Sequence, residues 1–262
     1  MNNVINQQFD SISSFYKYIC DTPINSTFRW HSLSSTNGNY DFTKTVSFEQ
    51  AVDLMKYGWT DMAEKMTQKL KATPDMELIH QMRTIVSVAG FQPIVPLYLA
   101  GVPQNMVSKK MVPVKQKVLN ITKSVDYNGG VSADTIIEES IKAMQIIKKL
   151  ESQGYRVNLN IAIGSVTTNK TLVCKIRIKN ASEKLNVSKL AFPLAHPSML
   201  RRLFLRWIEV HPEVTDAFLR GYGRAATYEQ LKEAFPDDIV LPAIFKGEIN
   251  DISDVRNIRA GY

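Results

Sequence analysis

The sequence predicts an α/β fold, and two observations carry that reading. First, residues 117–179 read as strand, glycine turn, long helix, strand, hairpin, strand. A helix over 136–154 between two strands is long enough for a right-handed parallel crossover. Second, the link between the next two strands, VTTNKT (166–171), is short and permits only an antiparallel hairpin. A parallel sheet with one antiparallel edge strand follows.

The bulk numbers agree with a folded domain. A chain of 262 residues, 44% hydrophobic and 22% charged, can bury a core without staples. The expected division is a mostly helical region over 1–110 and an α/β domain over 111–262. The two cysteines, Cys20 and Cys174, lie far apart without metal spacing, and Cys174 reads as a small buried apolar side chain in mid-strand. Residues 1–20 lack the apolar stretch of a signal peptide, and no apolar run is long enough to span a membrane. An intracellular, reducing setting is expected. The formal charge of +7 favours contact with phosphate or another acidic surface. A Lys-rich composition without such a role explains it equally well.

Taken in order, VINQQFDSISSFYKYI (4–19) has apolar residues at helical spacing and predicts a helix over 1–20. DTPINSTFRWHSLSSTNGNYDFTKT (21–45) is loop, with FRWHSL (28–33) as a short strand. Ser47 and Gln50 form a capping-box pattern for a helix ending at Gly58. A second helix over 59–75, capped by Thr60 or Asp61, stops before Pro74. Residues 77–90 predict a helix or a helix running into a strand. Pro93, Pro96 and Pro103 make 91–107 an extended, partly buried segment. After the central strands, Pro193 and Pro197 interrupt a helical stretch. SMLRRLFLRWIEV (198–210) then predicts an amphipathic helix capped by Ser198. Leu200, Leu203, Phe204, Trp207 and Ile208 face its core, and Arg201, Arg202, Arg206 and Glu209 lie on the other faces. DDIVLPAIF (237–245) reads as an edge or terminal strand because of Pro242.

Parallel strands with an antiparallel edge strand reached by a hairpin resemble a von Willebrand factor A-like, Rossmann-like domain. The segments KSVDYNGGVSADTI, KKLESQGYRVNLNIAIG and AFPLAHPSMLRRLFLRWIE are similar to an uncharacterised family of phage and prophage proteins. FEQAVDLMKYGW and VAGFQPIVPLYLAGVPQNM extend that similarity over most of 27–245. The resemblance implies a phage or mobile-element origin and brings no established activity with it.

Candidate sites follow from these elements. Asp126 ends the opening strand, where ligands of α/β sheets sit. With Ser124 and Ser132 it is the candidate Mg²⁺ set, although a von Willebrand A domain has two hydroxyls at alternate positions where this chain has Asn128 and Gly130. The competing reading is a turn in which Asn128-Gly129-Gly130 supplies positive φ and Ser132 caps the helix. The stretch is neither a P-loop nor a dinucleotide fingerprint. Lys109, Lys110, Lys115 and Lys117 form the best local basic patch. With Arg201, Arg202, Arg206 and His196 they are the candidate nucleic-acid or anion-binding residues, and Trp30, Tyr127 or Tyr222 are candidate stacking partners. Lys175, Arg177 and Lys179 on one strand face read as an edge guarded by charge. His31, His80 and His211 read as structural.

No catalytic set is complete. The expected function is a non-enzymatic, phage-type binding or assembly protein, with nucleic acid or another protein as partner, no membrane role and no cofactor. The rivals are a structural virion component and an enzyme acting on phosphate esters through Asp126, His196 and the arginines.

Overall fold

The computed structural model describes residues 3–28, 33–71, 80–113, 116–167, 170–214, 221–246, 252–257 and 259–260. Strand β1 (Asn3–Phe9) leads into helix α1 (Ile12–Asp21). Two short turns, α2 (Ser34–Asn37) and α3 (Tyr40–Thr43), precede α4 (Phe48–Tyr57) and α5 (Thr60–Leu70). Next come β2 (His80–Ser87), β3 (Gln92–Pro93), α6 (Val95–Leu99) and β4 (Met106–Pro113). The centre is β5 (Val118–Ser124), α7 (Ala133–Ser152), β6 (Arg156–Val166) and β7 (Lys170–Lys179). Helix α8 (Val187–Ala195) follows, then a π-helical segment (Met199–Phe204) running directly into α9 (Leu205–Val210). The chain continues through β8 (Arg224–Ala225), α10 (Tyr228–Ala234), β9 (Ile239–Leu241), β10 (Phe245–Lys246), α11 (Ile252–Arg256) and β11 (Arg259–Ala260).

The main sheet has the order β1-β7-β6-β5-β9, with β8 paired to the end of β6. Strands β5, β6 and β9 are parallel, as the long crossover helix α7 requires. Strands β6 and β7 form the expected antiparallel hairpin. Strand β7 is not an edge, however, because β1 pairs with it in parallel from Asn3↔Lys170 to Phe9↔Ile176. The sheet is thus mostly parallel, in two blocks that point opposite ways and meet at β6–β7. Its two carboxyl ends lie at opposite sides of the molecule.

Why the centre folds this way is visible in burial. Every residue of β6 after Asn158 is buried, so both faces are covered and the strand reads as a nearly continuous apolar run. Helix α7 is capped by Ser132, whose side chain accepts from the Thr135 amide. It buries Ile136, Ile141, Met144, Ile147 and Leu150 against one face. Each such side chain contributes roughly 1.5–3 kcal/mol relative to exposure. The other face meets α10, where Leu231 and Phe235 pack on Ala162, Val173 and Val240.

Residues on both sides of position 110 share one core. Phe15, Ala51 and Met66 belong to the same cluster as Ile121, Ile161 and Trp207. The first residues form a strand rather than a helix, since alternating exposure in β1 follows the period of two that pairing with β7 imposes. Only α1 keeps the expected helical register, starting from a Ser11–Ser14 capping box. The Ser47 cap and the Gly58 terminus at φ 89 are found where the sequence places them. Helix α5 is preceded by Trp59, with no side-chain cap. Within the 77–90 stretch, 80–87 is strand rather than helix, and 88–89 is a bend. Pro193 lies inside α8 instead of ending it. The expected strand at 28–33, with Trp30 and His31, falls mostly outside the described residues. Segment 91–107 is mostly exposed, with only Ile94, Leu97 and 105–107 half-buried, and it is not extended throughout, since it contains the short helix α6 with Pro96 in its first turn. Among the described residues, no helix is long and apolar enough to cross a membrane.

Candidate functional site

The basic patch lies on an arm. Strands β2, β4 and β3 make their own three-stranded antiparallel sheet. No side chain from Met82 to Met111 is buried. Met82, Phe91, Tyr98 and Leu99 are 60%, 62%, 65% and 78% exposed, an unusual density of large apolar side chains in water. From 78 to 125 the sequence contains no Asp or Glu. Arg83 faces Lys110 across the strands, and Thr84 faces Lys109. The Lys109 ammonium sits 5.7 Å from the Phe91 ring centroid, so cation and aromatic share one face. Lys117 is exposed just before β5. Lys115 and the side chain of His80 lie outside the described residues.

The three arginines belong elsewhere. Arg201 and Arg202 are 4% and 0% exposed, so they do not form a solvent-facing helix side. Arg202 donates to Ser35 O and Gly38 O at 2.8 Å, and to Oγ1 and the carbonyl of Thr45 at 2.7 and 2.9 Å. Arg206 donates to Ser35 Oγ, Thr36 Oγ1 and Glu209. Glu209, fully buried, accepts from the Ser35 amide and hydroxyl and from Tyr222 Oη at 2.5 Å. The segment 33–46 therefore closes over the polar face of the 199–210 helix. Its side chains meet backbone that would otherwise be unsatisfied there. Ser198 does not cap that helix; it donates to Thr43 O.

His196 is 6% exposed, with Trp59 edge-on at 4.6 Å and Phe192 stacked at 5.1 Å. Its Nδ1 accepts from the Ser198 amide at 3.1 Å. Burial lowers its pKa to about 4, which keeps the ring neutral. The histidine locks a helix junction and lines none of the clefts described below.

Asp126 lines a cleft of about 330 Å³ beyond the carboxyl ends of β5 and β6. Phe42, Ser165, Arg201, Tyr222 and Arg224 share its wall. Asp126 Oδ2 accepts from the amides of Gly164 and Ala226, each at 2.8 Å. Burial pushes this carboxyl up to about 7, against the downward pull of those two amides. Two glycines let 222–226 lie this close. A Cβ on Gly164 would stand 2.4 Å from that of Ala226. Gly223, at φ 75, passes within 2.5 Å of Ser165 Oγ by the same measure. Ser124 Oγ accepts from the Asp126 amide, and Ser132 caps α7. Neither serine lines the cleft. These oxygens do not converge as a hard cation needs, and among the described residues no group of three His, Cys, Asp or Glu could hold a metal. Gly129 and Gly130 do not have positive φ, so the turn there does not depend on glycine for that reason.

A second cleft of about 480 Å³ lies at the opposite side, beyond the end of β1 and β7, lined by Ser11, Lys56, Arg177 and Lys189 among others. The neighbouring strand cations are not an edge guard. Lys179 pairs with Glu151 at 2.6 Å and Lys175 with Asp238 at 2.9 Å, all largely buried. On the crossover side, Lys123 is wholly buried and donates to the carbonyls of Pro242, Ala243 and Ser124 at 2.7, 2.7 and 3.0 Å. Its one sequence signal is a lysine in phase with Ile121 and Val125, where the strand period demands an apolar residue.

The sequence model of a family described as a domain of unknown function (DUF7192) matches residues 1–261. No curated protein and no solved structure matches the chain.

Proposed function

The chain belongs to the DUF7192 family, and we propose that it is a non-enzymatic binding or assembly protein that holds nucleic acid on the β2–β3–β4 arm. The observation that carries this reading is the acid-free arm, where Arg83 and Lys110 face each other with no carboxylate among the described residues to balance them. Phosphates resolve that repulsion, and binding releases their counterions. Phe91 and Tyr98 offer exposed rings on which bases stack. A phage or mobile-element setting, an intracellular location and a von Willebrand A-like ancestry of the sheet belong to the same reading. The crossover through α7 and the β6–β7 hairpin support that ancestry. The catalytic rival loses its support, because His196 is sealed away from the cleft that holds Asp126.

The test is fluorescence anisotropy with labelled single-stranded DNA, RNA and duplex DNA at rising salt. Binding whose logarithm falls linearly with the logarithm of salt is expected. Lys109→Gln and Lys110→Gln should each reduce that slope by roughly one. No binding to any of the probes at low salt overturns the reading. The assembly half rests on the exposed Met82, Val86 and Met111; concentration-dependent sedimentation that is lost on Met82→Ser would favour contact between proteins as the arm's first role.

A further inference from the structure

We propose that the cleft at the carboxyl ends of β5 and β6 binds a small organic phosphate monoester, independently of the arm. Its volume, about 330 Å³, is within the range of small-molecule sites. One wall is apolar, from Phe42, Leu200 and Leu205, and the charged groups are Asp126, Arg201 and Arg224.

Arg201 is the unusual member. It is 4% exposed, and its Nη atoms donate to the carbonyls of Phe42, Gly129 and Val131. Phe42 also stacks on the guanidinium at 4.4 Å. No carboxylate bonds to it among the described residues, and its Nε–H has no acceptor. A buried charge without a counter-ion and a buried donor without an acceptor are both costly. An anion entering the cleft supplies the missing charge and brings an acceptor to that wall.

Arg224 stands exposed at the rim, with no ion partner among the described residues. Two guanidinium groups therefore oppose one carboxyl, and that carboxyl is itself close to half-protonated at neutral pH. A phosphate monoester, carrying about −1.5 to −2 at pH 7, balances this better than a monocarboxylate. Protonated Asp126 also donates a hydrogen bond to a phosphate oxygen, and the Gly164 and Ala226 amides hold the carboxyl in place for it. The apolar wall takes the organic group.

Calorimetric titration of the full chain with phenyl phosphate tests the site, with benzoate and phenol as controls. Phenyl phosphate is expected to bind and both controls to bind at least about tenfold more weakly, one charge-assisted contact being worth that ratio or more. Arg224→Ala, at the exposed rim, should weaken phenyl phosphate by roughly tenfold without changing the fold. Arg83→Glu on the arm should leave it unchanged. Absence of phenyl phosphate binding, equal binding of benzoate, or indifference to Arg224→Ala overturns the proposal. Loss of nucleic-acid binding alone does not touch it.

Discussion

Arg83 on β2 and Lys110 on β4 stand directly opposite one another in the arm's register, inside a stretch of sequence without a single acid. Like charges at such a pair destabilise a sheet that binds nothing. Arg83→Glu replaces the repulsion with an attraction and is expected to stabilise the arm by roughly 0.2–1 kcal/mol. It should at the same time weaken nucleic-acid binding. Hydrogen exchange at the β2 amides reads the first effect and anisotropy the second. If protection and binding fall together, the pair holds the arm together and the binding argument fails.

His196 sets a pH dependence. Its folded pKa of about 4 lies below the ordinary value of 6.5, so the unfolded chain binds the proton more readily across that window. The stability contribution is complete above about 6.5 and is lost as pH falls towards 4. His196→Phe removes this slope. It also leaves the Ser198 amide without its acceptor, at a cost of roughly 1–3 kcal/mol at neutral pH. Chemical denaturation at several pH values compares the two proteins. An unchanged slope in the variant would assign the effect to another group.

Much of the centre was legible, because β5, α7, β6 and β7 each obey a local rule: alternation, a Ser132 cap, a long crossover, a short link. The partner on the far side of β7 was not legible. Ile5 and Phe9, four residues apart, share a face in a helix as well as in a strand, and only pairing with a segment more than 160 residues away decides between them. The arginines failed for the same reason. Arg201 and Arg202 look like a solvated helix face until 33–46 is laid over them, and nothing in SMLRRLF announces that cover. The basic patch was visible as a run of lysines. Its setting, a sheet with no buried side chain from Met82 to Met111, depends on strand pairings from His80 to Pro113 that prolines in between obscured.

Arg202 measures how firmly that cover is held. It satisfies carbonyls of Ser35, Thr36, Gly38 and Thr45 from one side chain. Arg202→Leu keeps much of the volume and strips these donors, so several buried acceptors lose their partners. A loss of several kcal/mol is expected, at roughly 1–3 kcal/mol for each acceptor left unmet. Limited proteolysis should then cut within 33–46 before the core opens. Cleavage at wild-type rates would show that the segment is held by Glu209 and Tyr222 instead.

Lys123 offers a test of the core itself. The ammonium sits in a cage of carbonyls from Ser124, Pro242 and Ala243, beneath the rings of Tyr127 and Phe245. Burial lowers its pKa to about 7, with Glu139 pulling the other way. Between about 7 and the ordinary 10.5 the unfolded chain carries the proton and the folded one does not. Stability therefore rises with pH across that window, and the contribution is lost as pH falls towards 7. Lys123→Met keeps the length of the side chain and cannot titrate. Other groups also titrate at high pH, so the informative quantity is the stability difference between wild type and variant. That difference should move in favour of wild type by a few kcal/mol from pH 7 to pH 10, because a tenfold change in proton affinity corresponds to about 1.4 kcal/mol. The methionine leaves three carbonyls without a donor, and β9 with its following turn should loosen, read as faster exchange at the Leu241 amide. A stability difference flat in pH would mean that the lysine stays charged throughout and acts only as a clamp on 242–243.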